Sequence, residues 1–311
     1  MKNRLIKTLN IKRFKLVLLL EGLLVGILAG LVIVGYRICL TNGALWLQQI
    51  LAYCKQSIFT IIIWFIILFV IALVVTKLLD WESLISGSGI PQLEGELAGK
   101  IDAKWWRVLI AKFFGGFLAN FSGLALGREG PSIQLGAMVG KGIGKVLKRG
   151  KTEERYLLTC GASAGLAAAF HAPLAGVMFA LEEVHKHFSA PLLISVMTSS
   201  IAADYLMSSI LGMAPVFSFN IHGTLPTQYY WMVIILGIIL GLLGAFYNKA
   251  LLFVQSLYNH SKHLNNYTKL LIPFILAGIL GFTVPQLLGS GDTLVDLLIE
   301  GKLTMSLILL L

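Results

Sequence analysis

The run Gly127-Arg128-Glu129-Gly130-Pro131 decides how this chain is read. It interrupts an apolar, small-residue stretch, and Ser132-Ile133-Gln134-Leu135-Gly136-Ala137 follows it as the opening of a helix. Pro131 sits where a first helical turn tolerates a missing N–H, so the helix is predicted to begin at Glu129 or Gly130. Residues 113–126 carry no charge, which sets this helix start within the membrane rather than at its surface. A helix N-terminus presents unpaired N–H groups and about half a positive charge, which together make an anion site. Glu129 at that end can take the place an anion would occupy. The pattern is a gate built from a competing carboxylate.

Composition supports a membrane setting. Of the 311 residues 57% are hydrophobic and only 13% charged, with a mean hydropathy of +0.84. Soluble domains carry about 25% charged residues, so an all-α, multi-pass membrane protein is expected rather than a soluble enzyme. No cofactor or metal is expected. The net charge of +10 does not point to nucleic acid, because Lys2, Arg4, Lys7, Lys12, Arg13 and Lys15 cluster ahead of the first span. By the positive-inside rule they direct the N-terminus to the cytoplasmic face of the cell membrane. The apolar stretch that follows is too long for a leader and has no small-residue cleavage site. Cys39, Cys54 and Cys160 lack metal or redox spacing and read as packing residues.

Along the chain the reading gives a basic N-terminus (1–15), a first membrane repeat (16–211), a polar linker (212–228) and the start of a second repeat (229–311). Spans are predicted at residues 15–40, 58–79, 105–126, 191–211, 229–257 and 270–288. Residues 41–57 are expected to be a polar interruption, and 141–155 a charged, glycine-punctuated loop. Trp105 and Trp106 read as interfacial anchors. Gly22, Gly26 and Gly30, four apart, form a stripe that permits close helix packing in lipid. Two echoes suggest duplication. Gly26, Gly30 and Tyr36 recur as Gly237, Gly241 and Tyr247 (237−26 = 211), and Gly87-Ser88-Gly89 recurs as Gly289-Ser290-Gly291 (289−87 = 202). Inverted topology is the form such repeats take in transporters.

Gly87-Ser88-Gly89-Ile90-Pro91 breaks the chain in apolar surroundings as the Glu129 motif does, and also opens a short helix. Irregular backbone at membrane depth is tolerated only where it is buried in protein or lines an aqueous cavity. Paired broken helices hold anionic groups at such depths, and Ser88 can add a hydroxyl donor. Glu182 and Glu183 close an apolar helix. Either could mark an ion pathway, although neighbours about 100° apart cannot both face inward. His185 and His187 are expected on opposite helix faces, which disfavours a shared metal. Gly161-Ala162-Ser163-Ala164-Gly165 matches a hydrolase nucleophile pattern, with His171 as a conceivable partner, but it lies in an Ala-rich helical run and reads as a packing face.

With these motifs the chain resembles the CLC family of chloride channels and proton-coupled chloride transporters. The resemblance rests on Gly87-Ser88-Gly89-Ile90-Pro91, on Gly127-Arg128-Glu129-Gly130-Pro131 with Gln134-Leu135-Gly136, and on Ala172-Pro173-Leu174-Ala175-Gly176 leading to Glu182-Glu183. It implies a CLC-type inverted-repeat fold with broken and re-entrant helices, here with an incomplete second repeat. It implies a homodimer in the lipid bilayer with one pore per subunit, and chloride and protons as the transported partners. Ser88, Gly89, Ile90, Arg128, Glu129 and Gly130 would then form the chloride site, with Glu129 as external gate. Glu183 would be the internal proton-transfer residue, so Glu129 and Glu183 together favour antiport over a passive channel. The unaltered Gly-Ser-Gly-Ile-Pro favours chloride over the fluoride-selective branch. The family's Gly-x-Phe-x-Pro signature and late tyrosine are not in the sequence, which reads as an N-terminal portion whose autonomous transport is in question; a non-transporting fragment is the alternative.

Overall fold

The computed structural model describes residues 2–213, 226–260 and 265–299. Most of the expected linker, and the apolar run 303–311, lie outside the described residues. Eleven α-helices follow one another there: α1 Lys2–Cys54, α2 Ile58–Trp81, α3 Ile90–Leu97, α4 Trp105–Phe121, α5 Glu129–Val146, α6 Lys151–Phe170, α7 Pro173–Phe179, α8 Ala190–Leu211, α9 Tyr230–His260, α10 Asn266–Thr283 and α11 Asp292–Ile299. Among the described residues five stretches are long and apolar enough to cross a membrane: Phe14–Cys54, Ile58–Trp81, Ala190–Leu211, Thr227–Tyr258 and Asn266–Thr283. Among the described residues there is no strand. The protein is an all-α, multi-pass membrane protein.

Small residues set the helix packing. A Cβ added at Gly22 would lie 2.7 Å from the Ser195 carbonyl oxygen, at Gly26 2.8 Å from Ser199 Cα, and at Gly30 3.0 Å from Ala203 Cα. The glycine stripe of α1 therefore presses directly on the backbone of α8, as close packing in lipid requires. Positions rise together on the two helices, so α1 and α8 run parallel. Between α5 and α6 the order reverses: Ser132 faces Gly165, Gly136 faces Gly161, and Gly140 faces Leu157. These two helices are antiparallel and so close that neither could carry a β-carbon at its contact glycines. Residues 132–144 of α5 are all buried, as expected of a helix without a polar face.

The duplication reaches well beyond the glycine matches. The 3₁₀ turn Ser83–Ile85 recurs as Pro285–Leu287, and α3 recurs as α11, at the same offset (285−83 = 292−90 = 202). Gly87 and Gly89 have φ of 68° and 92°, and Gly289 and Gly291 have 80° and 86°. All four occupy the left-handed region that only glycine enters freely. Because α8 runs parallel to α1, it ends on the face that α1 reaches. The stripe on α9 has a different environment from that on α1: a β-carbon at Gly237 or Gly241 would meet nothing within 4 Å, and Tyr247 is exposed where Tyr36 is buried.

Several boundaries differ from expectation. The first helix does not stop at 40; it continues to Cys54, because Leu47 and Leu51 turn into a core shared with Trp64, Leu68 and Phe274. The predicted loop 141–155 is mostly helix. Lys141, read as a loop charge, is fully buried inside α5, and only residues 147–150 connect α5 to α6. The third predicted span, 105–126, ends at Phe121, where Gly123 (φ 87°) turns the chain. Of the two tryptophan anchors only Trp106 is exposed. It and Trp81 flank Arg107, whose guanidinium lies 5.3 and 5.5 Å from their ring centres. Trp105 instead packs on Gly142.

Candidate anion site

The loop between α2 and α3 is held by its carbonyls. Lys112 Nζ, on α4, donates to the carbonyls of Ile85 (2.8 Å) and Gly87 (2.7 Å). Gln134 Nε2, on α5, donates to Leu84 O at 2.8 Å, and Gln92 Nε2, on α3, donates to Ser86 O at 2.9 Å. Three side chains from three helices thereby fix four successive carbonyls. Among the described residues no acceptor is recorded for the amides of Gly87, Ser88 and Gly89. Ser88 Oγ accepts from the Ile90 amide at 3.3 Å, so its own O–H remains available as a donor on the exposed side of the loop. Ile90 and Pro91 open α3 directly after Gly89.

The second broken end meets this loop. α5 begins at Glu129, as the sequence predicts, with Arg128 as its N-cap. A β-carbon on Gly130 would stand 2.5 Å from Ser88 O, 2.9 Å from its Cα and 3.0 Å from its Cβ. Only glycine at 130 lets the start of α5 rest against Ser88. Gly89 likewise lies against the side chain of Gln134, at 2.6 Å from Cδ to an added Cβ. Among the described residues the amides of Glu129 and Gly130 have no acceptor, as expected for the first turn of a helix. The partly exposed Glu129 side chain folds back so that its Oε2 covers Gly127, where a β-carbon would displace the carboxylate. Ser88, Gly89, Ile90, Glu129 and Gly130 are therefore brought together, with Arg128 at the same helix end.

Glu183 lies elsewhere. α7 runs into a π-helical turn, Ala180–His185, in which Val184 is buried with Leu93 of α3 and Ile133 of α5. Both Glu182 and Glu183 are exposed, so neither faces inward in this structure. Lys186 Nζ pairs with Glu94 of α3 at 3.1 Å, which ties this turn to the helix that Ser88 opens. The turn meets α3 at Leu93 and Glu94, half-way along the helix, so about 6 Å of helix at 1.5 Å per residue lies between Glu94 and the Ile90 that follows the anion loop. Lys141, on α5, contacts Glu96 of α3 and lies 2.7 Å from both Asp102 and the Ala103 carbonyl. The hydrogen bond from Lys141, and then its charge, holds the Asp102 carboxyl below the usual carboxylate range.

The remaining candidates resolve plainly. Ser163 is fully buried within α6, without the strand-to-helix turn of a nucleophile elbow. His171 is engaged by Arg37 at 3.2 Å and by Ser208 and Asp204 at 3.4 Å. The rings of His185 and His187 do meet, edge to face at 6.4 Å, because Lys186 turns left-handed (φ 57°) and ends the helix. Among the described residues no group of three or more His, Cys, Asp or Glu could hold a metal ion. Lys112 was not singled out from the sequence, although a cation in the middle of an apolar helix is itself a signal of function.

Fold and site together define an all-α, multi-pass membrane protein in which two interrupted helices start against one another. The family described as voltage gated chloride channel matches residues 67–311, and the chain belongs to this CLC family. It is 37% identical over 233 residues to the H(+)/Cl(-) exchange transporter ClcA of Vibrio parahaemolyticus serotype O3:K6 (strain RIMD 2210633), covering 73% of this chain and 50% of that protein. The ClcA protein of Vibrio campbellii (strain ATCC BAA-1116) is 36% identical over the same length and shares. The chain thus spans about half the length of these relatives. Among solved structures, a slow cyanobacterial Cl-/H+ antiporter superposes with a TM-score of 0.85 at 30% identity, over 94% of this chain and 70% of that one. A CLC-type fluoride/proton antiporter shares the fold with a TM-score of 0.73 at 21% identity, over 93% and 71%.

Proposed function

We propose that the chain contributes to proton-coupled chloride antiport, with Glu129 as gate and Glu183 as internal proton acceptor. The observation that carries the reading is the contact of Gly130 with Ser88, which joins two helix starts beside one carboxylate. Chloride would be held by the amides of Glu129 and Gly130 and by the Ser88 hydroxyl, with Gly89, Ile90 and Arg128 shaping the pocket. Ionised Glu129 competes for that position, and protonation removes its charge and releases it, which links the two fluxes. Glu183, on the exposed turn braced against α3, would pass protons to and from the cytoplasm. The names of the relatives, exchangers of protons and chloride, support this reading over a passive channel. The N-terminus is proposed to be cytoplasmic, the assembly a homodimer, and residues 16–211 and 229–311 the two repeats.

Flux of protons and chloride from liposomes holding the protein tests it. Glu129→Gln should abolish proton coupling, and Glu183→Gln should stop proton movement while chloride still passes. Coupled proton movement persisting in Glu129→Gln would overturn the gate assignment. A reversal potential indifferent to the pH gradient in the unaltered protein would favour the channel.

A further inference from the structure

A crevice of about 310 Å³ opens on the outer face of the bundle, remote from the Ser88 loop, between α1, α4 and α5. Leu24 and Leu28 form one wall, Trp105 and Leu109 another, and Val139 and Ile143 the floor. Gly142 makes it possible: a β-carbon there would stand 2.9 Å from the Trp105 ring, so the glycine lets that ring lie flat against α5. The α5 side runs from Val139 to Leu147, about 12 Å at 1.5 Å per residue. Leu24 and Leu28 are about two-fifths exposed although they belong to a spanning helix, so the crevice faces the acyl-chain region.

Charge at one end identifies the occupant. Lys104 precedes Trp105 and Lys148 follows Leu147, so both stand at the same end of the crevice, and both are exposed. The acids nearby are already engaged: Glu21 by Arg149, Glu154 by Lys145, Glu96 and Asp102 by Lys141, and Glu153 by the Gly150 amide. Among the described residues no ion pair is formed by Lys104 or Lys148. An apolar slot in a membrane-spanning surface, ending at two unopposed ammonium groups, complements one molecule: a phospholipid with a net negative headgroup.

We propose that this crevice is a binding site for an anionic phospholipid, with one acyl chain between Leu28 and Ile143 and the phosphate at Lys104 and Lys148. A zwitterionic lipid would fill the slot equally but gain little from the lysines. Each lysine near an anionic headgroup favours it about five-fold, giving about thirty-fold for the pair.

Native mass spectrometry of the full chain in mild detergent tests this, with phosphatidylglycerol and phosphatidylcholine of identical chains as probes. The expected result is about thirty-fold tighter retention of phosphatidylglycerol. Lys104→Gln with Lys148→Gln should erase the preference, and Leu28→Trp, which fills the slot, should release both lipids. If Leu28→Trp fails to fold by circular dichroism, Val146→Trp at the exposed rim serves instead. Equal retention of the two lipids, a preference that survives the double substitution, or equally tight binding of glycerol phosphate alone would overturn the proposal.

Discussion

Gly130→Ala probes the contact on which the anion site is built. The added methyl would sit 2.5 Å from Ser88 O and 2.9 Å from its Cα, both backbone atoms that cannot swing away. Ordinary contact needs about 3.5 Å, so the start of α5 must withdraw from the loop by about 1 Å. A hydrogen bond stretched by that amount ceases to be one. Losing one charge-assisted N–H contact to the anion costs about 1.5–3 kcal/mol, or about 10- to 150-fold in affinity. Overpacking adds about 1–3 kcal/mol of destabilisation, partly offset by the better helix propensity of alanine. Isothermal titration of the purified chain with chloride reads the affinity, and thermal unfolding in detergent reads the stability. Gly35→Ala is the control, since nothing lies within 4 Å of the added methyl and the helix should gain up to about 1 kcal/mol. Chloride affinity unchanged in Gly130→Ala would refute the reasoning.

Three further outcomes follow from the same structure. Lys112→Met should leave the Ile85 and Gly87 carbonyls unsatisfied, lowering stability by about 1–3 kcal/mol for each and weakening chloride binding in the titration. Ser163→Ala should raise the unfolding temperature, because the buried hydroxyl has no partner in the structure and its removal recovers about 1 kcal/mol; the unaltered protein should not react with a fluorophosphonate. His185 is held below the usual histidine range, chiefly by burial and then by the charges of His187 and Arg155. A depressed histidine makes its full contribution above its unfolded pKa of 6.5, and that contribution is lost as pH falls from there through the lower folded value. Amide protection in the turn bearing Glu183, taken relative to the intrinsic exchange rate at each pH, should therefore fall on acidification below about 6.5, and His185→Gln should remove that dependence.

Local chemistry explains what could be read in advance. The start of α5 at Glu129 was legible because glycine, proline and a carboxylate act within one helical turn. The α1 stripe was legible because four-residue spacing survives whatever the partner is, though only the structure shows that Ser195, Ser199 and Ala203 complete it. The two Gly-Ser-Gly loops were visible as a weak repeat; their shared left-handed geometry and the common offset of the flanking turns make it a duplication. Buried charges were not legible. Lys112 finds its carbonyls 25 and 27 positions away, Lys141 meets Glu96 at a separation of 45, and Arg149 meets Glu21 at 128. Burial of an ion is tolerable only with such partners, and no periodicity within one segment reveals them. For the same reason Lys141 reads as a loop residue, while α1 reads as shorter than it is because the core that Leu47 and Leu51 join is supplied by Trp64, Leu68 and Phe274 from other helices.

The central claim is that amides at two interrupted helices hold a halide which Glu129 contests. Anomalous diffraction from crystals of Glu129→Gln soaked in bromide tests it most directly. The account predicts a bromide peak within hydrogen-bonding reach of the Gly130 amide and the Ser88 hydroxyl, stronger than in the unaltered protein. Bromide bound elsewhere, with no peak between these two groups in either protein, would contradict it.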